Sequence, residues 1–373
     1  MKQNNIIGPK AIVHLGRLKQ NLSAIKSRVG EKKLLCVVKA NAYGHGSIQI
    51  ARSISDINNV QFAVFSFDEA IELRNANIKN DILIFSKLQL ANLDLAYKNN
   101  LILNISSFDD IHDAEYYLKK NKVSPRFHIK FDTGMTRLGF DLKDADKVYN
   151  EISGILSDYI EGVYTHFATA DEGDLSYAEK QLKDFKKVIK KANQFELSFK
   201  YIHSSNSGAL LNIEESYFNM VRVGMLLYGA LPSNEVVDNL GIKPVMSFCG
   251  SIVNVRKVKK GTHVSYGGVY KAPTDCNIGV VQTGFADGFP RPWYEKGYVC
   301  YKGENFKIAG RICMDQLMVD FGNTVPDLGD DVLFFGDYQL GNIPVEVIAN
   351  EINSTPYVLL TAIGGRTKHV YID

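Results

Sequence analysis

Residues 37 to 46 read VVKANAYGHG. The apolar run from Leu34 to Val38 has the length and composition of a buried strand, and it stops at Lys39. A turn bearing Tyr43, Gly44 and Gly46 follows. A lysine that closes a buried strand sits where the ligand crevice of an α/β fold opens. Stripped of water there, its ammonium is destabilised, its pKa falls and a nucleophilic amine becomes available. On position alone Lys39 has a second reading, a strand-end charge pointing to solvent. The rest of the chain decides between them.

Outward from that stretch, short apolar runs alternate with longer amphipathic segments as far as about Tyr228. LLCVV from Leu34, FAVFS from Phe62, ILIFS from Ile82 and LILNI from Leu101 read as strands. So do RFHIKF from Arg126, YIEGVYTHF from Tyr159, FKYIHS from Phe199 and FNMVRVG from Phe218. Most intervals read as helices, among them Phe67 to Ala76 and Tyr177 to Ala192. Eight strands with helical crossovers in some 200 residues predict an α/β fold, a (β/α)8 TIM barrel. A doubly wound open sheet has the same pattern and stays as the alternative. Near Ile242 the texture changes to β-branched segments separated by Gly, Asn and Asp, such as CNIGVVQTGF and QLMVDF. Helical periodicity returns only at Pro344 to Ile352. The expected organisation is a barrel over 1–235 and a mainly antiparallel β domain over 236–373, joined near Leu231 to Leu240.

Composition narrows the function. At 373 residues, with a net charge of +2, the chain offers no electrostatic case for binding nucleic acid or an acidic membrane. No apolar run reaches membrane-spanning length, and the first residues lack the apolar core of a signal peptide. Five scattered cysteines without CxxC spacing suggest neither a disulfide framework nor a zinc site, and no metal is expected. A cytoplasmic protein is expected.

Polar residues gather where the barrel strands end. Lys130, Asp132, Thr133, Met135 and Arg137 follow the fifth strand in HIKFDTGMTRLG, and His166 closes the sixth. His203, Asn206 and Ser207 follow the seventh; Arg222 and Gly224 end the eighth. A barrel assembles its site at that rim, so four strand ends converge on one mouth. Singly, His166 reads as a core histidine, Arg137 as a surface charge and Ser207 as a helix cap.

Together, VVKANAYGHG, DTGMTRLG, THFATADE, HSSNSGAL, VRVGMLLYG and GRICMDQLMVD resemble bacterial alanine racemase, in order and spacing, to about Tyr357. The resemblance implies a pyridoxal 5′-phosphate enzyme and a homodimer whose sites lie between one subunit's barrel and the other's β domain. It implies that Lys39 carries the cofactor, and that Tyr43, Ser207, Tyr357 and the backbone N–H groups of Gly224 and Met225 hold its phosphate. Arg222 would face the pyridine nitrogen with His166 in support. Arg137 would bind the substrate carboxylate, and Lys130 beside it would be carbamylated or else paired with a nearby acid. Racemisation needs acid/base groups on both faces of one carbon. The second base matches Tyr266, supplied by the partner subunit. A phenol titrates near about pH 10, so that role calls for positive neighbours. Met314 and Asp315 match partner residues that line the substrate pocket.

Two departures stand out. GFADGFPR has Phe285 where the family usually has tyrosine at the substrate entrance, next to Arg291. GGRTKHVY keeps Arg366 but replaces the Val-Pro-Arg that usually follows it. The implied activity is the interconversion of L- and D-alanine, supplying D-alanine for peptidoglycan. A broader amino-acid racemase that takes serine, a non-catalytic cofactor-binding barrel protein and a decarboxylase of the same barrel class are the alternatives. Tyr266 and GRICMDQ point away from the last two.

Overall fold

A computed structural model describes residues 7–373. Eight parallel strands form the main path of the first sheet, with a two-residue strand, Phe140–Asp141, paired beside the fifth: β1 (Lys33–Val37), β2 (Val60–Val64), β3 (Ile82–Ile84), β4 (Ile102–Ile105), β5 (Arg126–Asp132), β6 (Ile160–Tyr164), β7 (Tyr201–His203) and β8 (Met220–Val223). They run in the order β8-β1-β2-β3-β4-β5-β6-β7. The apolar runs are continuous because each strand feeds two cores. Leu34 and Cys36 pack outward under the helices, while Leu35 and Val37 pack inward with Ala63, Leu83 and Ile102. This is the expected barrel, with helices such as Phe67–Asn75 and Ser176–Ala192 outside it.

The ring closes without a backbone ladder between β7 and β8. Side chains stitch that seam instead. The Asn219 carboxamide donates to Lys200 O (3.0 Å) and accepts from Ile202 N (2.7 Å). Nearer the mouth, Arg222 donates to His203 O (3.1 Å).

The second sheet is mainly antiparallel, as expected. Its strands are β9 (Met246–Val258), β10 (Cys276–Val281), β11 (Tyr298–Tyr301), β12 (Glu304–Ile308), β13 (Leu317–Asp320), β14 (Asp331–Tyr338), β15 (Gly341–Ile343) and β16 (Lys368–Ile372). β14 also pairs with β9, which closes β9, β10, β13, β12, β11 and β14 into a ring. An N-terminal strand, Lys10–His14, lies between β9 and β16, antiparallel to the first and parallel to the second. It belongs to this sheet although it precedes the barrel. Two helices, Val345–Glu351 and Pro356–Ala362, complete the region; the second was not expected from periodicity. Among the described residues no helix is long and apolar enough to cross a membrane, and no cluster of His, Cys, Asp or Glu could hold a metal.

Candidate active site

The turn after β1 differs from the expected one. The strand stops at Val37, and Lys39 begins a left-handed turn in which Ala40, Asn41, Ala42 and Tyr43 have φ of 52°, 52°, 55° and 53°. L-residues avoid this conformation at roughly 1–2 kcal/mol each, so the turn must be held from outside. Ala40 N donates to Glu69 Oε1 (2.6 Å), and Ser47 N donates to Asn41 Oδ1 (2.9 Å). Buried His45 donates from Nδ1 towards Ala42 O and Tyr43 O and stacks on Tyr228. His369 donates to Gly44 O (2.7 Å), which gives one residue of the unusual C-terminal tripeptide a structural role. At Gly44 (φ 81°) a Cβ would fall 2.1 Å from Leu360 O, so only glycine lets the helix Pro356–Ala362 seat against the turn.

That turn sends Lys39 into a positively charged mouth. Burial, then Arg137, lowers the Lys39 pKa, against an opposing pull from Glu69. Burial, then Arg137, Arg222 and Lys39, lowers Lys130 to about 8. The expected alternative for Lys130, an ion pair with a nearby acid, is not formed. Among the described residues no carboxylate is bonded to it; its ammonium lies 5.7 Å from the Tyr164 ring centre. The nearby Asp132 is otherwise engaged. It accepts from Gly134 N (2.8 Å) and Arg137 N (2.9 Å), which folds the loop back and presents Arg137 at the rim. Gln181, fully buried, bonds Thr133 Oγ1 and His166 O and so fastens the loops after β5 and β6 together.

Arg222 is buried, and its terminal nitrogens are fully used. Nη1 donates to His203 Nδ1 (2.9 Å) and His203 O; Nη2 faces Thr165 O (2.8 Å), Ser204 O (2.8 Å) and His166 Nδ1 (3.2 Å). The Nε–H is the one guanidinium donor without a protein partner. Burial lowers Arg222 to about 10, still a cation near neutrality. Burial, then Arg222, holds His166 well below its ordinary pKa, so that imidazole is neutral.

Ser207 does not cap its helix. Asn206 does, accepting from Ala209 N (2.9 Å), and the Ser207 hydroxyl instead accepts from Gly224 N (3.2 Å) and Leu226 N (3.4 Å). A Cβ on Gly224 would come 2.7 Å from Tyr43 Oη, so this position must stay bare. Burial, then Tyr357, pushes Tyr43 up to about 12, which keeps its hydroxyl a donor. Two hydroxyls and the amides of a glycine turn are neutral donors of the kind a phosphate requires, in a mouth that also holds Lys39, Lys130, Arg137 and Arg222. The residues therefore fit pyridoxal 5′-phosphate.

The remaining predicted residues form a second group, on the β domain. Tyr266 sits on a tight turn between two short strands, 65% exposed. Gly310 packs closely enough under Ser265 that a Cβ there would lie 2.7 Å away, so this turn rests on the GRICMDQ segment. Phe285 N and Ala286 N donate to Cys313 O and Met314 O (both 3.0 Å). Arg366 ties Asp287 (2.8 Å) to Asp315 (2.6 Å), and Arg291 lies 5.9 Å from the Phe285 ring centre. Met314, Phe285 and Tyr357 are 56%, 39% and 44% exposed. Among the described residues no bond joins Tyr266 to the barrel mouth.

Residues 13–232 match the family profile described as alanine racemase, N-terminal domain, and residues 245–371 that described as alanine racemase, C-terminal domain. The alanine racemase of Desulforamulus reducens is 35% identical over 368 residues, which cover 97% of this chain and 98% of its own. That of Clostridium tetani is 34% identical over 369 residues, 97% of this chain and 95% of its own. Alanine racemase from D-cycloserine-producing Streptomyces lavendulae superposes with a TM-score of 0.92 at 29% identity, over 99% of this chain and 98% of its own. The alanine racemase of Clostridium difficile 630 gives 0.91 at 32% identity, over 98% and 96%.

Proposed function

The chain belongs to the alanine racemase family, and from that premise we propose that it interconverts L- and D-alanine with two bases drawn from two copies of itself. The observation that carries this reading is the barrel mouth. Lys39 is held there by a strained turn, among Lys130, Arg137 and Arg222 and beside the cradle of Tyr43, Ser207 and Gly224. Pyridoxal 5′-phosphate, when bound, supplies the aldehyde that takes the substrate's amino group and the ring that accepts the electron pair of Cα.

The residues divide the remaining work. Tyr43, Ser207, Tyr357 and the amides of Gly224 and Met225 would hold the phosphate. The Arg222 Nε–H would donate to the ring nitrogen, and a guanidinium does not give up its proton, so that nitrogen would stay an acceptor. His166 supports Arg222. Lys39 would anchor the cofactor, and its amine, with its lowered pKa, would take or give the Cα proton on one face. Tyr266 of a second copy acts on the opposite face. One proton leaves and one arrives, so the product is the mirror image with no net change in composition. Arg137 binds the carboxylate, with Lys130 carbamylated beside it; Met314 and Asp315 of the second copy line the far wall. The exposure of Tyr266, Met314 and Tyr357 supports this sharing, because large side chains left open on a surface favour a covering partner.

The barrel portion, to about residue 235, is the cofactor-binding domain in this reading, and the remainder is the part lent to the partner. We place the enzyme in the cytoplasm, where its five free thiols stay reduced and where D-alanine for peptidoglycan is made. Phe285 at the entrance, beside Arg291, favours a second reading in which serine or larger amino acids are also accepted.

Chiral analysis of the products from a panel of L-amino acids tests the activity. D-alanine should form fastest from L-alanine; its absence beside active turnover of another substrate would overturn the specificity. Borohydride reduction and peptide mapping should leave the pyridoxyl group on Lys39, and an adduct on another lysine would sink that assignment.

A further inference from the structure

Two buried histidines behind Arg222 take no part in the chemistry above. His203, the last residue of β7, and His128, on β5, are 0% and 1% exposed. Gly162 on β6 lets the His128 ring cross between them, because a Cβ there would lie 2.8 Å from that ring. The contacts run in a line. Arg222 Nη1 lies 2.9 Å from His203 Nδ1, and His203 Nε2 lies 2.9 Å from His128 Nδ1. His128 Nε2 is buried with no partner.

A guanidinium can only donate. His203 Nδ1 must therefore accept, which puts its proton on Nε2. That N–H donates to His128, so His128 Nδ1 accepts and its own proton also sits on Nε2. The reverse order would set an imidazole N–H against an arginine N–H, and a cationic His203 would do the same with like charges at contact. The line has one allowed direction, and its cost falls at the far end, on the unpartnered His128 N–H.

We propose that His203 and His128 are positioning residues that lock Arg222, through a one-way pair of neutral Nε2–H imidazoles, so that its Nε–H is the donor turned to the cofactor's ring nitrogen. This rests on the reading of Arg222 given above. Each part of the lock has a separate anchor. Tyr164 stacks on His203 at 4.7 Å and 4° and fixes its plane, while Tyr201 lies 5.6 Å from the His128 ring. Burial holds both imidazoles below their ordinary pKa, in keeping with neutral rings.

Solid-state 15N NMR of the holoenzyme labelled in histidine tests the order directly. Both residues should show an unprotonated Nδ1 and a protonated Nε2. A protonated Nδ1 or a cationic ring at His203 would overturn the proposal, with no variant needed. His128→Asn keeps an acceptor near the Nδ1 position, whereas His128→Leu removes it. The leucine variant should lose about tenfold in kcat, in the range typical for an outer hydrogen-bond partner. It should also shift the absorbance of the bound cofactor, and the asparagine variant should recover both. Equal behaviour of the two variants, whether both intact or both impaired, would refute the lock. Failure of the enzyme to racemise any amino acid would sink the functional reading, while the measured proton order would stand or fall by itself.

Discussion

Lys130→Met in the cofactor-free protein should raise stability, because the wild-type chain buries an ammonium with no counter-ion. Lys130 is 6% exposed, and its pKa falls from 10.5 to about 8. At about 1.4 kcal/mol per unit, holding that charge costs on the order of 3 kcal/mol. The Tyr164 ring beneath the ammonium offsets on the order of 1 kcal/mol, leaving about 2 kcal/mol. The sign follows from proton linkage. Below pH 8 both folded and unfolded chains carry the proton, and the full cost is present. Between pH 8 and 10.5 the folded chain loses its proton first, so the wild-type penalty fades; above 10.5 it is gone. Urea titration in CO2-free buffer at pH 7 should therefore place the variant's midpoint higher, by on the order of 0.7 M at a slope of about 3 kcal/mol/M. Near pH 11 the two midpoints should meet. Bicarbonate should raise the wild-type midpoint at pH 8 and leave the variant alone, because a carbamate turns the cation into an anion facing Arg137. A variant that is no more stable at pH 7 would refute the argument that burial dominates at this lysine.

Ownership of the site can be read by complementation. Lys39→Ala and Tyr266→Phe homodimers should both be severely impaired, yet a doubly tagged mixed dimer should regain up to about half the wild-type activity, since one of its two sites is intact; an assembled but inactive mixed dimer would rule out sharing. Gly224→Ala puts a methyl 2.7 Å from Tyr43 Oη and should weaken cofactor affinity about tenfold or more in a fluorescence titration, with little change in secondary structure. An unchanged affinity would remove Gly224 from the phosphate cradle. Phe285→Tyr should alter the kcat/KM ratio between alanine and a bulkier amino acid; a fixed ratio would put substrate choice deeper in the pocket.

The barrel was legible because burial on both faces leaves a direct trace. Leu34 and Cys36 serve one core, Leu35 and Val37 the other, so the strand is apolar at every position. The mouth was legible because strand ends are where polar residues interrupt such runs. Other features left little trace. Ala40, Asn41, Ala42 and Tyr43 carry no signal for positive φ beyond the neighbouring Gly44 and Gly46, since contacts made elsewhere enforce that turn. Ser66 and Glu69 spell a helix start, but the Glu69 reach to Ala40 is a tertiary contact. Arg366 looked merely retained; its bridge from Asp287 to Asp315 joins residues 51 and 79 positions away. Tyr266 carries no local signal for chemistry; only the family resemblance singles it out, and it stands 65% exposed on its turn.

The N-terminal strand has a consequence for how the protein is made. Lys10–His14 leaves the ribosome long before one of its two partners, Lys368–Ile372, which lies about 350 residues further along the chain. At 5–20 residues per second the wait is roughly 20 to 70 s. In that interval every barrel strand is available, while Lys10–His14 remains an apolar segment with an open edge. The barrel can thus form ahead of the second sheet, and the arrival of Lys368–Ile372 becomes the event that covers the open edge of Lys10–His14.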